Sequence, residues 1–190
     1  MLQEGSGKGG VVICHTHPSY GGSMENGVVE AIEDGFHRAG LTTLKFNFRG
    51  VGRSSGRFAE GVGETEDALA AYAFLKERLE EKERPILAGY SFGAWVSGMA
   101  VARIAEAVDL FLVAYPFSSY SPGELRSFQG RIYLIGGSRD EISPADDLLS
   151  FHKSLQCEKY LKIIPCSHFF EGREREISEF IVDHFGGKEG

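Results

Sequence analysis

The chain has 190 residues, a length that suits one domain able to bury a substantial core. Its 42% apolar and 25% charged residues are typical of an ordinary globular protein. The net charge of -7 argues against a nucleic-acid or anionic-membrane partner, because both need a basic protein face. No apolar run approaches the roughly 20 residues that span a bilayer, and the polar N-terminus lacks a signal-peptide core. We therefore expect one cytoplasmic domain over residues 1–190.

Short apolar runs alternate with longer amphipathic stretches along the chain. The predicted strands are, in chain order, 11–14, 42–48, 85–90, 110–115, 132–135 and 160–164. The predicted helices are 25–39, 64–83, 92–106, 145–155 and 173–185, and a loop rich in glycine and serine spans 49–63. Most strands are continuously apolar, which indicates burial on both faces. We therefore predict an α/β fold of three layers, with about six mainly parallel strands and helices on both faces of the sheet.

Sites in such sheets form beyond the carboxyl ends of the strands, so the residues that follow each strand matter most. Residues 89–93, Gly-Tyr-Ser-Phe-Gly, form a G-x-S-x-G motif between a predicted strand and a helix of small residues. Such a turn lifts the Ser91 hydroxyl above the sheet and directs the Phe92 N–H toward the same space, as an oxyanion donor. The simpler interpretation is a glycine-rich turn, and we favour the catalytic one because partners for Ser91 follow.

A serine nucleophile needs a base that is oriented by an acid, and in this fold the chain order is serine, acid, histidine. Asp140 follows the strand 132–135, and His168 follows the strand 160–164. Asp140 could also be an ordinary turn residue with Glu141 as the acid, and His168 could be a surface or capping histidine. We predict the triad Ser91, Asp140 and His168, because each residue follows a different strand at one edge of the sheet.

Five segments of the chain resemble small bacterial and archaeal α/β-hydrolases related to dienelactone hydrolase. Residues 15–26 are similar to the HPHPxYGGxMxN signature of these proteins, and residues 46–56 resemble their NFRGVGxSxG loop. The segments 89–93, 137–140 and 168–170 match the remaining blocks. The resemblance implies an α/β-hydrolase core without a lid domain and with the same triad. Dienelactone hydrolases proper carry cysteine in place of Ser91, so their particular substrate does not follow.

The resemblance also implies a second oxyanion donor in the loop after the first predicted strand. We expect the backbone N–H of Ser19 or Tyr20 to supply it, with the His17-Pro18 pair in the position of the HG motif of other α/β-hydrolases. Family members usually begin with an antiparallel hairpin, whereas here the first predicted strand starts almost at once. Either the hairpin is absent or the chain start has been misassigned, and the sheet edge is then exposed.

Three further residues are candidates for binding substrate or for bracing loops, namely His17, Arg49 and Tyr90. Arg49 and Arg53 could bind a carboxylate or phosphate, but bracing of the loop is the preferred role for Arg49. Cys14, His15 and His17 could suggest a metal site, yet no further ligands are evident, so packing or loop bracing is favoured. The odd number of cysteines without a CxxC pair predicts reduced thiols. We expect no metal and no cofactor.

The pattern as a whole predicts a serine hydrolase that acts on a small ester or thioester through an acyl-enzyme intermediate. Its expected partner is a small-molecule acyl substrate, and the chain is expected to be a monomer or homodimer. Two alternatives stay open. The first is a non-catalytic protein with a hydrolase fold that binds a ligand or partner, and the second is a serine peptidase that acts on short peptides.

Overall fold

The computed structural model describes residues 1–6, 9–80, 83, 85–106 and 108–187. The strands are β1 (Leu2–Gln3), β2 (Gly10–Cys14), β3 (Thr42–Lys45), β4 (Ile86–Tyr90), β5 (Asp109–Val113), β6 (Ile132–Gly137) and β7 (Lys159–Ile164). The helices are α1 (Gly27–Arg38), α2 (Val62–Lys76), α3 (Phe92–Val101), α4 (Ala145–Ser154) and α5 (Glu174–Phe185), with short 3-10 turns at Pro18–Tyr20 and Gly123–Ser127. Within these described ranges, none of the helices is long and apolar enough to cross a membrane.

The seven strands form one sheet in the order β1-β3-β2-β4-β5-β6-β7. All neighbouring pairs are parallel except β1 with β3. Strand β2 lies inside the sheet, with Ile13 opposite Lys45 of β3 on one side and opposite Ala88 of β4 on the other. The predicted α/β fold with a mainly parallel sheet is thus confirmed, although the sheet has seven strands rather than about six.

Each face of the sheet packs against its own layer of helices. Alternate residues of β2 belong to different cores, because successive side chains of a strand point to opposite faces. Val11 and Ile13 share one core with α1 and α5, whereas Val12 and Cys14 share the other with α2, α3 and α4. All five residues of β2 are buried, as the continuous apolar run indicates. The two helical layers therefore enclose the sheet and leave its carboxyl edge to the loops.

The N-terminal edge of the sheet differs from the prediction. Leu2 pairs antiparallel with Leu44, and Gln3 with Thr43, so one short strand lies along β3. Among the described residues this is a single antiparallel strand and not a two-stranded hairpin. The predicted strand 11–14 is confirmed as β2, whereas β1 was not predicted, because two residues are enough to pair but too few to show an apolar pattern.

Strand β3 ends at Lys45, three residues earlier than predicted. The next residues are held by side chains rather than by a strand ladder. The Phe48 N–H donates to His15 Nε2 at 3.0 Å, and Asn47 Oδ1 accepts the Met24 N–H at 2.8 Å. The alternation of apolar residues through Phe48 therefore reports burial and not strand pairing.

The observed boundaries of two helices also differ from the predicted ones. Helix α2 begins at Val62 because the Glu64 carboxylate accepts the N–H groups of Ala59 and Gly61, which satisfies donors at the helix start. It ends at Lys76, before the predicted end at residue 83, and residues 81 and 82 lie outside the described part. Helix α3 ends at Val101 rather than at residue 106. The remaining helices agree with the predictions to within two residues.

Candidate active site

The turn between β4 and α3 carries Ser91 in a strained backbone conformation. Its φ of 55° and ψ of -118° lie in a region that few residues other than glycine adopt. The two glycines of the motif permit this turn. A Cβ on Gly93 would lie 2.2 Å from the carbonyl oxygen of Cys14, and one on Gly89 would lie 2.2 Å from the carbonyl oxygen of Gly93. Close backbone packing thus explains why glycine stands on both sides of the serine.

Three loops bring Ser91, His168 and Asp140 into one hydrogen-bonded chain. The Nε2 atom of His168 lies 2.9 Å from Ser91 Oγ, and its Nδ1 atom lies 2.8 Å from Asp140 Oδ2. Asp140 and His168 are buried, with 5% and 6% of their surface exposed. The residues come from the loops after β4, β6 and β7, which lie at the same edge of the sheet. The predicted triad residues are therefore in contact in the predicted order.

Backbone groups hold the Asp140 carboxylate in place. Its Oδ1 atom accepts the N–H of Ile142 at 2.9 Å and the N–H of Ser143 at 2.7 Å, which leaves Oδ2 for His168. The neighbouring Glu141 is exposed, and no hydrogen bond joins it to His168. The alternative of Glu141 as the partner acid is therefore not supported by the geometry.

Tyr90 supports the loop that carries His168. Its hydroxyl donates to the backbone carbonyl of His168 at 2.8 Å, and its ring packs against Phe170, which is buried and has a φ of 55°. Burial raises the pKa of Tyr90, so the phenol stays a neutral donor. Tyr90 also lines the pocket in front of Ser91, but its hydroxyl is already used in bracing.

The candidate oxyanion donors differ in whether their backbone N–H groups already form hydrogen bonds. Phe92 is the first residue of α3, so its N–H has no acceptor within the helix. The N–H groups of Ser19 and Tyr20, which the sequence analysis favoured, donate to His17 instead, to Nδ1 at 3.1 Å and to the carbonyl oxygen at 3.1 Å. The backbone N–H of His17 itself makes no hydrogen bond to another described residue, and His17 lines the same pocket as Ser91.

The ring of His17 belongs to an aromatic cluster at the side of the pocket. Its centroid lies 4.7 to 4.8 Å from those of Tyr20, Phe58 and Phe92. Burial lowers the pKa of His17, so the ring behaves as a neutral aromatic group. The sequence predicts either substrate contact or loop bracing for His17. The structure gives it a bracing contact through Nδ1 and also a place in the pocket wall.

His15 has a purely internal position. Its Nε2 atom accepts the Phe48 N–H, and its Nδ1 atom lies 2.6 Å from the Thr16 carbonyl oxygen. Burial lowers its pKa from 6.5 to about 4, so the ring is neutral near pH 7. Among the residues that the structure describes, no group of three or more histidine, cysteine or acidic residues could hold a metal ion. His15 therefore braces two loops, as the sequence analysis favoured.

Arg49 lies outside the pocket of Ser91. Its guanidinium forms a bidentate contact with the Asp67 carboxylate, with nitrogen–oxygen distances of 2.7 to 3.2 Å. The backbone N–H of Arg49 donates to the same carboxylate. It borders a separate shallow groove that also includes Arg53. The bracing role of Arg49 agrees with this contact, although its partner is a carboxylate rather than backbone carbonyls.

Ser91 and His168 open into a cavity of about 680 Å³. The wall is made of aromatic, aliphatic and neutral polar side chains together with glycine and proline. Its lining consists of Thr16, His17, Tyr20, Gly21, Asn26, Tyr90, Ser91, Phe92, Pro116, Ser119, Tyr120, Ile142, His168 and Phe169. The described part of the chain contains no lid domain over this cavity, since β5 is followed by a 3-10 turn and then by β6, α4, β7 and α5 of the core.

The mainly parallel sheet, its two helical layers and the strained serine turn define an α/β-hydrolase. Residues 55–180 match the dienelactone hydrolase family, and the chain belongs to that family. This membership supports a hydrolase. Among solved structures, an α/β serine hydrolase homologue from Coxiella burnetii is 33% identical, with a TM-score of 0.86 over 96% of this chain and 89% of that chain.

Two further proteins are similar to this chain over most of its length. A serine hydrolase without a lid from Xanthomonas campestris is 28% identical, with a TM-score of 0.83 over 99% of this chain and 87% of that chain. An uncharacterized protein of Rickettsia prowazekii is 32% identical over 91% of this chain and 76% of its own length. The similarity thus extends over nearly the whole chain and includes a structure without a lid.

Proposed function

We propose that the chain is a serine hydrolase that cleaves small esters through an acyl-enzyme intermediate. The observation that carries this proposal is the continuous contact from Ser91 Oγ through the His168 ring to Asp140 Oδ2, at 2.9 and 2.8 Å. A serine hydroxyl is a weak nucleophile at neutral pH unless an adjacent base accepts its proton. In this proposal His168 is that base and Asp140 is the carboxylate that orients it, which their contacts support.

The first half of the reaction transfers the acyl group to Ser91. Ser91 Oγ attacks the ester carbonyl carbon while its proton passes to His168 Nε2, and the carbonyl oxygen becomes an oxyanion. Asp140 accepts a hydrogen bond from the Nδ1–H group of His168 and stabilises the imidazolium. The C–O bond of the ester then breaks, the departing alcohol takes the proton from His168, and the acyl group stays on Ser91.

The second half of the reaction returns the enzyme to its starting state. A water molecule attacks the acyl-enzyme carbonyl and gives a proton to His168 Nε2. When the bond to Ser91 breaks, Ser91 Oγ takes this proton back and the carboxylic acid leaves. The cavity of about 680 Å³ has room for water once the alcohol has departed.

The backbone N–H groups of Phe92 and His17 are the proposed oxyanion donors. Both belong to residues that line the cavity, and neither is engaged with another described residue. This replaces the earlier expectation of Ser19 or Tyr20, whose N–H groups are already occupied. Preorganised donors of this kind are each worth about 100- to 1,000-fold in rate.

The two alternatives receive less support. A ligand-binding protein that had lost catalysis would have no need for a base in contact with the strained Ser91, nor for a buried carboxylate behind it. A peptidase acting on short peptides would use the same three residues. Comparing turnover of 4-nitrophenyl esters and aminoacyl anilides distinguishes an esterase from a peptidase. We expect turnover of the esters and little turnover of the anilides.

The nucleophile is tested with a fluorophosphonate probe that reacts with activated serines. We expect the wild-type chain to be labelled once, the variant Ser91→Ala to remain unlabelled, and Ser118→Ala to be labelled like the wild type. Ser118 is an exposed serine outside the cavity lining, so it serves as the matched control. Labelling that survives in folded Ser91→Ala would overturn the proposal.

A further inference from the structure

We propose that this site, if it acts as the proposed esterase, is selective for uncharged esters that carry an apolar or aromatic group. Substrates with a free carboxylate near the scissile bond are turned over less efficiently. Two independent observations support this substrate class, namely the absence of charged side chains in the described lining and the concentration of exposed apolar side chains at the cavity mouth.

The cavity offers no cation to a substrate carboxylate. Among its described lining residues there is no lysine, arginine, aspartate or glutamate, and the two histidines are His17, whose pKa burial lowers, and His168. A carboxylate brought into such a wall would lose water without gaining an opposite charge. An uncharged group of the same size carries no such cost.

The arginines that could have filled this role are used elsewhere. Arg49 is paired with Asp67 and lies with Arg53 at the separate groove. Arg139, in the loop that also carries Asp140, donates to the Pro165 carbonyl oxygen at 2.8 Å. The net charge of -7 adds a general repulsion of anions. The wall of the cavity is therefore neutral within a protein that is acidic overall.

The mouth of the cavity presents apolar surface to solvent. Tyr20 is 88% exposed, Phe169 is 59% exposed and Ile142 is 40% exposed. These three residues line the same cavity, although they come from loops after three different strands. Large apolar side chains left in water at one place mark a surface that another apolar group covers. A substrate group that extends out of the cavity would bury them.

The inner wall has the same character. The Trp95 ring stacks on Tyr120 with centroids 4.1 Å apart, which fixes the Tyr120 side of the cavity, and Phe92 lies between Tyr120 and His17. Aromatic walls of this kind favour flat apolar groups. Thr16, Asn26 and Ser119 add neutral polar atoms that can meet ether, hydroxyl or ester oxygens.

The test uses three 4-nitrophenyl esters with acyl groups of similar length. These are the hexanoate, the methyl adipate and the hydrogen adipate, of which only the last carries a carboxylate. The adipate chain is too long for that carboxylate to cyclise rapidly onto the ester and release 4-nitrophenol without the enzyme. We expect kcat/KM for the two uncharged esters to agree within about threefold and to exceed that of the anionic ester by about tenfold or more. Equal or faster turnover of the anionic ester would overturn the selectivity.

A matched pair of variants checks that missing charge is the cause. Ser119 and Ser118 are adjacent and both exposed, but only Ser119 lines the cavity. We expect Ser119→Arg to shift the ratio of anionic to uncharged turnover upward by about tenfold, while Ser118→Arg leaves the ratio unchanged. Equal shifts in both variants would mean that a general field, and not the cavity wall, sets the selectivity, and would contradict the proposal.

The mouth is tested separately with Phe169→Ala. We expect KM to rise about fivefold for an ester with an aromatic acyl group and to change little for the acetate, because the acetate does not reach the mouth. A KM that does not depend on Phe169 for either ester would contradict the role of the mouth. Failure of the hydrolase proposal itself looks different, since no ester would then be cleaved and the fluorophosphonate probe would not react.

Discussion

Two groups of polar residues at the carboxyl edge of the sheet form equally close contacts but differ in what they leave open. In the first group, Ser91 and His168 contact each other and also face the cavity, so their reacting atoms can meet a substrate. In the second group, Arg49 and Asp67 satisfy each other, and His15 is occupied at both ring nitrogens. Residues of both groups stand in prominent sequence motifs.

The difference shows that a motif by itself does not separate catalysis from bracing. A polar side chain can do chemistry only if one of its hydrogen-bonding positions remains free and faces an accessible space. A side chain whose positions are all satisfied fixes the backbone around the site instead. Mutating residues of each group and comparing the effects on turnover and on stability is the most direct way to test this distinction.

The largest expected effect comes from changing Asp140, the acid that contacts His168. Asp140→Asn retains the oxygen that accepts the Ile142 and Ser143 N–H groups, but it no longer stabilises the His168 imidazolium. We expect kcat to fall by about 10⁴-fold with little change in the midpoint of thermal unfolding. The measurement is steady-state turnover of 4-nitrophenyl butyrate together with thermal unfolding of the same sample.

The matched control for Asp140→Asn is Asp67→Asn. Asp67 contacts Arg49 at a partly exposed position, so the loss of the ion pair is screened by solvent. We expect a loss of about 1 kcal/mol in stability and a change in kcat of less than about threefold. If Asp67→Asn abolished turnover as Asp140→Asn does, the two groups would not differ as described.

An intermediate effect is expected from the pH dependence of His15. Its pKa is about 4 in the folded protein and 6.5 when exposed, so the unfolded chain binds more protons between these values. The free energy of unfolding therefore falls as the pH drops from 6.5 toward 4, by up to about 3 kcal/mol from this residue. Urea unfolding across this range, compared between wild type and His15→Gln, measures the contribution.

The glutamine variant has no proton to gain at this position, so its stability should decline less steeply with falling pH. The variant is also expected to be less stable at pH 7, because the Phe48 N–H loses a well-placed acceptor. Parallel pH profiles for the two proteins would show that His15 does not titrate as its burial requires.

The smallest expected effect concerns Tyr90, which braces the loop that carries His168. Tyr90→Phe removes the hydrogen bond to the His168 carbonyl but keeps the ring. We expect kcat to fall by about fivefold while KM stays within twofold, because the imidazole is less firmly placed and the cavity wall is kept. Steady-state kinetics with 4-nitrophenyl butyrate provide both constants. A rise in KM alone would instead make Tyr90 a substrate contact.

Local features of the fold were predictable wherever a pattern depends on near neighbours in the chain. The continuous apolar runs predict the central parallel strands because both faces of those strands are covered. The prediction failed for β1 and for the end of β3, where two residues of pairing or a side chain such as His15 decide the outcome. Neither leaves a periodic signal in the sequence.

The sequence alone determined the serine turn, because the G-x-S-x-G pattern of residues 89–93 stands directly between an apolar run and a stretch of small residues. It also determined the order of Ser91, Asp140 and His168, since each residue directly follows an apolar run. Only the tertiary structure decided which groups remain free. The N–H groups of Ser19 and Tyr20 are occupied, that of His17 is not, and the arginines lie away from the cavity. These choices depend on distances between loops that are remote in the chain, and residue type does not encode them.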